Sequence, residues 1–194
     1  MFLKKNLRLK NIPNHIECFD NSNIQGSLPT SSCVVFKKGL PSKKDYRIFK
    51  IKTVTKADDF ASMREVVFRR YKRVLDEKGD LPDLIVIDGG KGQLSSAKES
   101  LKRLGLSGKV AIIGIAKKLE SIYFPNDKIP LFIDKKSPAL KLIQTIRNEA
   151  HRFAINYHKK RRLKSTLSSA LTDIDGVGEK TAELLIKKIG SVRR

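Results

Sequence analysis

The sequence has 194 residues, enough for one core domain and a small additional unit. Hydrophobic residues make up 40% and charged residues 31%, which is typical of a globular chain and excludes a wholly disordered one. The formal net charge of +21 favours a polyanionic partner such as nucleic acid, although ribosomal and membrane-surface proteins share this bias. Neither a membrane span nor a signal peptide is indicated, so we expect a cytoplasmic protein.

Three short strands follow a basic arm at the start of the chain. They are predicted at residues 15–20, 32–39 and 46–51, and turn residues separate them. Connections this short predict an antiparallel meander. Cys18 and Cys33 fall in the first two strands without a CxxC spacing, and we interpret them as buried thiols in a reducing compartment.

The hydrophobic period changes after the meander. An amphipathic helix that begins at an Asp58-Asp59 cap and ends by Gly79 is predicted. Its apolar stripe consists of Phe60, Met63, Val67, Tyr71 and Val74. Residues 83–88 then form a continuously apolar strand, which indicates burial on both faces and a central place in a sheet.

The remaining elements alternate between helix and strand. We predict a helix at 93–104, a strand at 110–116, a hairpin across 121–133 and a long helix from about Ser137, with Pro138 in its first turn. Three antiparallel strands followed by helix-linked strands predict an α/β fold, namely a ribonuclease H-like mixed sheet with flanking helices. A doubly wound sheet is the alternative, but it requires helices between the first three strands.

Two aspartates end strands that this topology places side by side. Asp20 ends the first strand and Asp88 ends the fourth, so their carboxylates should converge at one edge of the sheet. Such a pair repels itself unless a cation lies between, and hard oxygen ligands favour Mg²⁺ or Mn²⁺. Either aspartate alone is also explained as a turn or helix cap.

The long helix of this fold class passes over the strand ends, which makes His151 a candidate third ligand or proton carrier, with Glu149 as the second choice. A lone histidine is more often structural, so this assignment depends on the topology. The Gly-rich segment after Asp88 lacks the spacing of a nucleotide-binding loop. We interpret its glycines as a tight turn and Lys91 as a phosphate contact.

Basic residues dominate the second half of the long helix. Eight Lys or Arg residues and one acidic residue lie between 141 and 164, which is typical of a solvated face or, beside a metal site, of a phosphate-binding ridge. The predicted DNA contacts on this ridge are Arg147, Arg152, Arg161 and Arg162.

The final segment predicts a helix-hairpin-helix. Gly176 and Gly178 flank one apolar residue between helical patterns, which would let backbone N–H groups approach a phosphate, with Lys180 at the following helix. Binding of this kind is independent of base sequence. We therefore predict an endonuclease domain over 1–165 and a DNA-binding segment, itself incomplete, over 166–194.

Several blocks of the chain together resemble the C-terminal half of the UvrC family, the incision subunits of bacterial nucleotide excision repair. The matching blocks are IECFDNSNIQG, KADDFASMREVVFRRY, LPDLIVIDGGKGQLSSA, IIGIAKKLE, EAHRFAINYHKKRR and DIDGVGEKTAELLIKKIGS. The resemblance implies a metal-dependent cut in damaged double-stranded DNA on the 5′ side of a lesion, in a complex of UvrB with DNA. Its functional positions fall on Asp20, Asp59, Asp88 and His151, of which the residues themselves had indicated all but Asp59.

The chain also departs from the family pattern. Asn23 stands where many members have a histidine, and we assign it no catalytic role. A GIY-YIG nuclease region, the UvrB-interaction motif and the second hairpin unit are not found in these 194 residues, so the chain is interpreted as a fragment or a shortened homologue.

Three functional hypotheses remain open at this stage. The first is a DNA endonuclease that uses a divalent metal. The second is a DNA-binding module of the same repair subunit without activity of its own. The third, based on fold and charge alone, is a different ribonuclease H-like nuclease that acts on junctions or RNA–DNA hybrids.

Overall fold

The computed structural model describes residues 2–22, 29–53, 58–116, 120–174 and 176–189. The chain divides into two compact units, residues 1–154 and 155–194. The division lies within the long helix Pro138–Thr172, as does the boundary at residue 165 expected from the sequence, and that boundary stays a prediction. Asn23 lies outside the described residues.

The first unit contains most of the regular structure. Its strands are β1 (His15–Ser22), β2 (Thr30–Lys37), β3 (Leu40–Pro41), β4 (Arg47–Lys50), β5 (Leu84–Asp88), β6 (Ala111–Ala116) and β7 (Ser121–Tyr123). Its helices are α1 (Phe2–Asn6), α2 (Asp59–Asp76), α3 (Lys91–Arg103) and the first part of α4 (Pro138–Thr172), with a short 3₁₀ turn at Lys43–Asp45.

The seven strands form one mixed sheet. Its order is β3-β2-β1-β5-β6-β7, and β4 pairs with the other end of β2. The pairs β1–β2, β2–β4 and β6–β7 are antiparallel, whereas β1–β5 and β5–β6 are parallel. This arrangement confirms the predicted meander and the neighbouring first and fourth predicted strands.

Helices cover both faces of the sheet. One face of β1 and β5 packs with α1 and α4 in a cluster that includes Cys18 and Val86. The other face packs with α2 and α3 in a cluster that includes Phe19 and Ile87. Every residue of β5 is buried, as its continuously apolar sequence predicts for a strand between two helical layers.

Several elements differ in extent from the sequence-based expectations. The basic arm contains α1, and its Leu3 and the following Leu7 are buried in the core, a role that this short and charged sequence does not indicate. The predicted hairpin is reduced to β7 and a bridge in which Ile122 and Leu131 exchange backbone hydrogen bonds of 3.0 and 2.7 Å. The described helices include none that is long and apolar enough to cross a membrane.

The second unit contains the end of α4 and the helix α5 (Glu179–Ile189). The connection between them includes Gly176, which has a φ of +84°, in the left-handed region that favours glycine. The Val177 N–H donates to the Ile174 carbonyl at 3.0 Å, and α5 starts directly after Gly178. The assignment of this segment as a helix-hairpin-helix stays a prediction.

Candidate active site

The register of the two central parallel strands brings Asp20 and Asp88 to the same edge of the sheet. Phe19 pairs with Ile87, so the next residue on each strand is one of the two aspartates. Both aspartates are buried, with 3% and 6% of their surface exposed. The convergence predicted from the topology is therefore present.

The start of α2 adds two more aspartates, Asp58 and Asp59, to this region. Asp58 caps the helix, and its side chain accepts from the Phe60 and Ala61 N–H groups at 2.9 and 3.0 Å. Asn21 on β1 donates from Nδ2 to the Asp59 carbonyl at 2.9 Å. This bond ties the start of α2 to the strand that carries Asp20.

These elements surround an open cleft of about 930 Å³. Its walls come from the end of β1, the start of α2, the loop after β5 and the start of α3. The lining residues are Asp20, Asn21, Asp58, Asp59, Phe60, Asp88, Gly89, Gly90, Gly92, Gln93 and Ala116. Asn21, Phe60 and Gln93 were not singled out in the sequence, because nothing in their local pattern reports which elements meet here.

His151 reaches this edge of the sheet from α4. Its Nδ1 lies 3.1 Å from Oδ2 of Asp20, and half of its side chain is exposed. The preceding residue, Ala150, is buried, and its carbonyl accepts from the Ser32 hydroxyl at 3.0 Å, which fixes the helix against the sheet. His151 thus lies where the topology predicted it.

Glu149, the second choice for a ligand on α4, has other partners. It accepts two hydrogen bonds of 2.6 Å from Arg152 and one of 3.2 Å from the Tyr46 hydroxyl. Hydrogen bonding to Arg152 lowers the pKa of Glu149, so it is a charged acceptor within this group. The structure therefore brings His151, rather than Glu149, to Asp20.

The negative charge of the site affects the pKa of Cys18, the fully buried residue two positions before Asp20. Burial raises the pKa of this thiol well above its ordinary value, and the charges of Asp88 and Asp20 raise it further. Arg147 acts in the opposite direction. Cys18 is therefore a neutral thiol beneath the two carboxylates, in agreement with its interpretation as a buried apolar residue.

The loop after β5 is tightly packed by its glycines. A Cβ atom on Gly114 of β6 would lie 2.8 Å from the Gly89 carbonyl oxygen, and one on Gly92 would lie 2.7 Å from Cζ of Phe60. The side chain of Gln93 occupies the space beside Gly89. These contacts leave little room beside the backbone at Gly89, Gly92 and Gly114, and the role of the glycines in a tight turn stays a prediction.

The donor set fits a small divalent cation. In the part of the chain that the structure describes, no group of three or more His, Cys, Asp or Glu side chains is arranged as a metal site. Mg²⁺ commonly uses one or two protein carboxylates and completes its shell with water and substrate phosphate oxygens. Asp20 and Asp88 match that donor set in number and chemistry, so the residues present fit Mg²⁺ or Mn²⁺.

The predicted DNA contacts of the first unit have protein partners in this structure. Lys91 donates to the Lys128 carbonyl and lies 5.6 Å from the centroid of the Tyr123 ring. Arg147 forms an ion pair of 2.8 Å with Glu120. Arg152 binds Glu149, so each of these three cations has a protein partner, and their contacts with phosphate stay a prediction.

The predicted contacts of the second unit are solvent-accessible. Arg161 is half-buried on α4, and Arg162 is exposed one residue later. Gly176, Gly178 and Lys180 are exposed around the start of α5. Their role in DNA binding stays a prediction.

Together, the mixed sheet with strand order 2-1-5-6 and helices on both faces defines a ribonuclease H-like α/β protein. A family model described as the UvrC RNase H endonuclease domain matches residues 4–155. The chain therefore belongs to the UvrC RNase H endonuclease domain family, as the sequence blocks indicated.

The curated relatives carry the name UvrABC system protein C. The chain is 62% identical over 192 residues to the protein of Flavobacterium johnsoniae and 57% to that of Porphyromonas gingivalis, which covers 99% of this chain and 32% of each relative. The protein of Chlorobium chlorochromatii is 52% identical over 190 residues, and the match covers 98% of this chain and 30% of that relative. The chain thus spans about a third of the length of the curated relatives that it matches.

Solved structures of endonuclease V are also similar to this chain. The Bacillus subtilis protein has a TM-score of 0.44 at 15% identity, with 80% of this chain and 90% of that chain covered. Endonuclease V of Ciona intestinalis, in complex with an inosine-containing 24mer DNA, has a TM-score of 0.41 at 19% identity. The match covers 71% of this chain and 57% of that chain. At these identities the likeness concerns the fold alone.

Proposed function

We propose that this chain is the endonuclease unit of a UvrC-type repair protein and that it hydrolyses one phosphodiester of damaged double-stranded DNA, on the 5′ side of the lesion. The observation that supports this most is the convergence of Asp20 and Asp88 on adjacent parallel strands, with His151 in contact with Asp20. Membership of the UvrC RNase H endonuclease family agrees with it.

Asp20 and Asp88 would hold Mg²⁺ or Mn²⁺, since both are buried oxygen donors at one edge of the sheet. When bound, such an ion supplies Lewis acidity at the phosphate and a more acidic water. Asp59, whose backbone is held by Asn21, would accept a hydrogen bond from the attacking water.

His151 would handle a proton beside the carboxylates. When its Nδ1 donates to Asp20, the ring is fixed as the Nδ1–H tautomer, and Nε2 remains available to accept or release a proton. Half of the side chain is exposed, so the ring is accessible to water and substrate.

The substrate would be held by cations that surround the site and by the second unit. Lys91, Arg147 and Arg152 of the first unit would contact phosphates near the cut, and Arg161, Arg162 and Lys180 of the second unit would also contact phosphates. Gly176 and Gly178 would bring backbone N–H groups to a phosphate. We expect the substrate to be presented in a complex of UvrB with DNA in the bacterial cytoplasm, as the resemblance to the family implies.

The substitution Asp88→Asn tests this proposal. The variant keeps the shape of the side chain but removes one of the two carboxylate charges, so nicking of a lesion-bearing duplex in Mn²⁺ should fall by more than about 100-fold. DNA affinity in the absence of metal should stay within about twofold. Gel-resolved nicking of a labelled duplex and fluorescence anisotropy measure the two quantities.

Asp80→Asn is the matched control, because Asp80 is an exposed aspartate before β5, at the opposite end of that strand from Asp88. It should nick DNA like the wild type. Undiminished metal-dependent nicking by Asp88→Asn would contradict the assigned site. DNA binding by the wild type without any nick would instead support a binding module.

A further inference from the structure

Phe60 is an exposed aromatic residue beside the carboxylates of the cleft. Its sequence spacing assigned it to the buried stripe of α2, and Met63, Val67, Tyr71 and Val74 of that stripe are indeed buried. Phe60 itself is 52% exposed and lines the same cleft as Asp20 and Asp88. Single exposed apolar residues are common on protein surfaces, so exposure alone indicates nothing.

The ring of Phe60 is held in place by the backbone of α3. A Cβ atom on Gly92 would lie 2.7 Å from Cζ of Phe60, so the far edge of the ring rests directly on a residue that has no side chain. The backbone of Phe60 is held as well, because its N–H donates to the Asp58 cap at 2.9 Å. The ring is therefore fixed at one edge and at its base while half of the residue remains accessible.

The helices that carry Phe60 and Gly92 are also joined further along their length. The Ser100 hydroxyl on α3 donates to the Arg64 carbonyl on α2 at 2.7 Å, and Arg64 pairs with Glu99 at 2.8 Å. An aromatic ring on such a support loses little freedom when a flat partner stacks on it. This is the property expected of a binding surface that exists before the ligand arrives.

We infer that Phe60 and Gly92 form a base-stacking subsite, in which the Phe60 ring packs against the face of the nucleobase next to the scissile phosphate. The inference rests on the proposed function, since the carboxylates place the phosphate, and each phosphate in a strand adjoins a nucleoside. In a duplex the neighbouring bases cover both faces, so this base must leave the stack to meet the ring. Every base has a flat π face, and the stacking then fixes the strand without reading its sequence. The ring is a positioning element and takes no part in proton transfer.

The test begins with the wild-type chain and a lesion-bearing duplex on which the nicked bond is mapped. The fluorescent base 2-aminopurine is then placed at each position around that bond and observed without divalent metal. Binding should change its emission at one adjoining position. This change should be kept in Phe60→Tyr and lost in Phe60→Leu, because only the tyrosine retains a ring.

The second readout is a double-mutant cycle in which a protein substitution is combined with a change in the DNA. Phe60→Leu should weaken binding or slow nicking by about tenfold, the order expected for one base-aromatic stack. On a duplex with an abasic analogue at the position found by fluorescence, wild type and Phe60→Leu should behave alike. Gly92→Ala, which keeps the ring but displaces it, should reproduce the loss on intact DNA in part.

Phe2→Leu is the control, since Phe2 is 61% exposed on α1 and does not line the cleft. A loss in Phe60→Leu that persists at full size on the abasic duplex would overturn the inference, because it would show a purely structural role. Equal behaviour of wild type and Phe60→Leu on intact DNA would overturn it as well. Absence of nicking by the wild type would contradict the proposed function, and 2-aminopurine placed at successive positions along the same duplex would then decide the stacking.

Discussion

Glu17 and Asp20, three residues apart on β1, are buried acids with different surroundings. Glu17 faces α2 and accepts hydrogen bonds from Arg70 at 2.5 and 3.2 Å and from the Tyr71 hydroxyl at 3.0 Å. His15 lies 3.3 Å away. A buried carboxylate with this many donors is internally compensated, so Glu17 is part of the fold rather than of the cleft.

The acid stability of the chain should depend on Glu17. Burial alone would raise its pKa, but hydrogen bonds from His15 and Arg70 and their charges outweigh it and lower the pKa from 4.5 to about 2. The charged form is therefore favoured in the folded state. Its contribution, on the order of 3 kcal/mol, is present above pH 4.5 and is lost as the pH falls from 4.5 to about 2.

Urea unfolding at pH 6, 4 and 3 measures this dependence. Glu17→Gln should cost about 3 kcal/mol at pH 6, because it leaves the Arg70 charge buried without its counterion. The difference between wild type and variant should shrink as the pH falls. A difference that stays constant from pH 6 to 3 would show that the folded pKa is not lowered.

At the residue scale, topology predicted the meeting of Asp20, Asp88 and His151, because strand ends and the helix that crosses them follow from the order of elements. Asp59 did not emerge from its local pattern, since an Asp-Asp pair at a helix start is explained by capping alone. Asp58 accepts the capping bonds in the structure, so Asp59, which lines the cleft together with Asp58, is not needed as the cap. Which side chains at this helix start reach the cleft depends on how α2 docks on β1, and no local spacing encodes that docking.

At the element scale, strong periodicity gave the correct strands and helices, and weak or short patterns did not. The buried strand β5 and the amphipathic α2 were predicted within a few residues of their bounds. The helix α1 was missed, because five residues with two lysines carry no detectable period. Phe60 follows the stripe of α2 but extends past the sheet, so periodicity assigned its face correctly and its burial wrongly.

The packing of β6 on the loop after β5 should be sensitive to one methyl group. Gly114→Ala would place Cβ 2.8 Å from the Gly89 carbonyl oxygen and 3.3 Å from Cβ of Leu94. Backbone cannot yield as a side chain does, so we expect a loss of about 1–3 kcal/mol in the free energy of unfolding. Nicking should slow too, because Gly89 directly follows Asp88.

Gly79→Ala is the matched control for this substitution. Its Cβ would meet Val74 at 3.6 Å, an ordinary contact, and its stability should be unchanged or should rise by less than about 1 kcal/mol. Thermal or urea unfolding compares the two variants. Equal stability of Gly114→Ala and wild type would show that the loop after β5 has room to move.

At the scale of the whole molecule, the excess of 21 positive charges has no counterpart in the fold itself. Some of the described acids pair with nearby cations, as Glu120 does with Arg147 and Glu149 with Arg152. Even if every acidic residue held one Lys or Arg, 21 basic residues would be left over, and like charges repel. A polyanion relieves that repulsion and releases its own counterions, so DNA binding should fall steeply with salt.

The contribution of the second unit to DNA binding can be measured by substituting Lys180, at the start of α5. Each phosphate contact contributes about 0.9 to the slope of log affinity against log salt concentration for duplex DNA. Lys180→Ala should therefore lower the magnitude of the slope by about one, to a similar extent for duplexes of different sequence. Lys109→Ala is the control, because Lys109 lies before β6, at the opposite end of the sheet from Asp88. An unchanged slope in Lys180→Ala, or an equal change in Lys109→Ala, would mean that the hairpin segment makes no specific phosphate contact and that charge alone governs affinity.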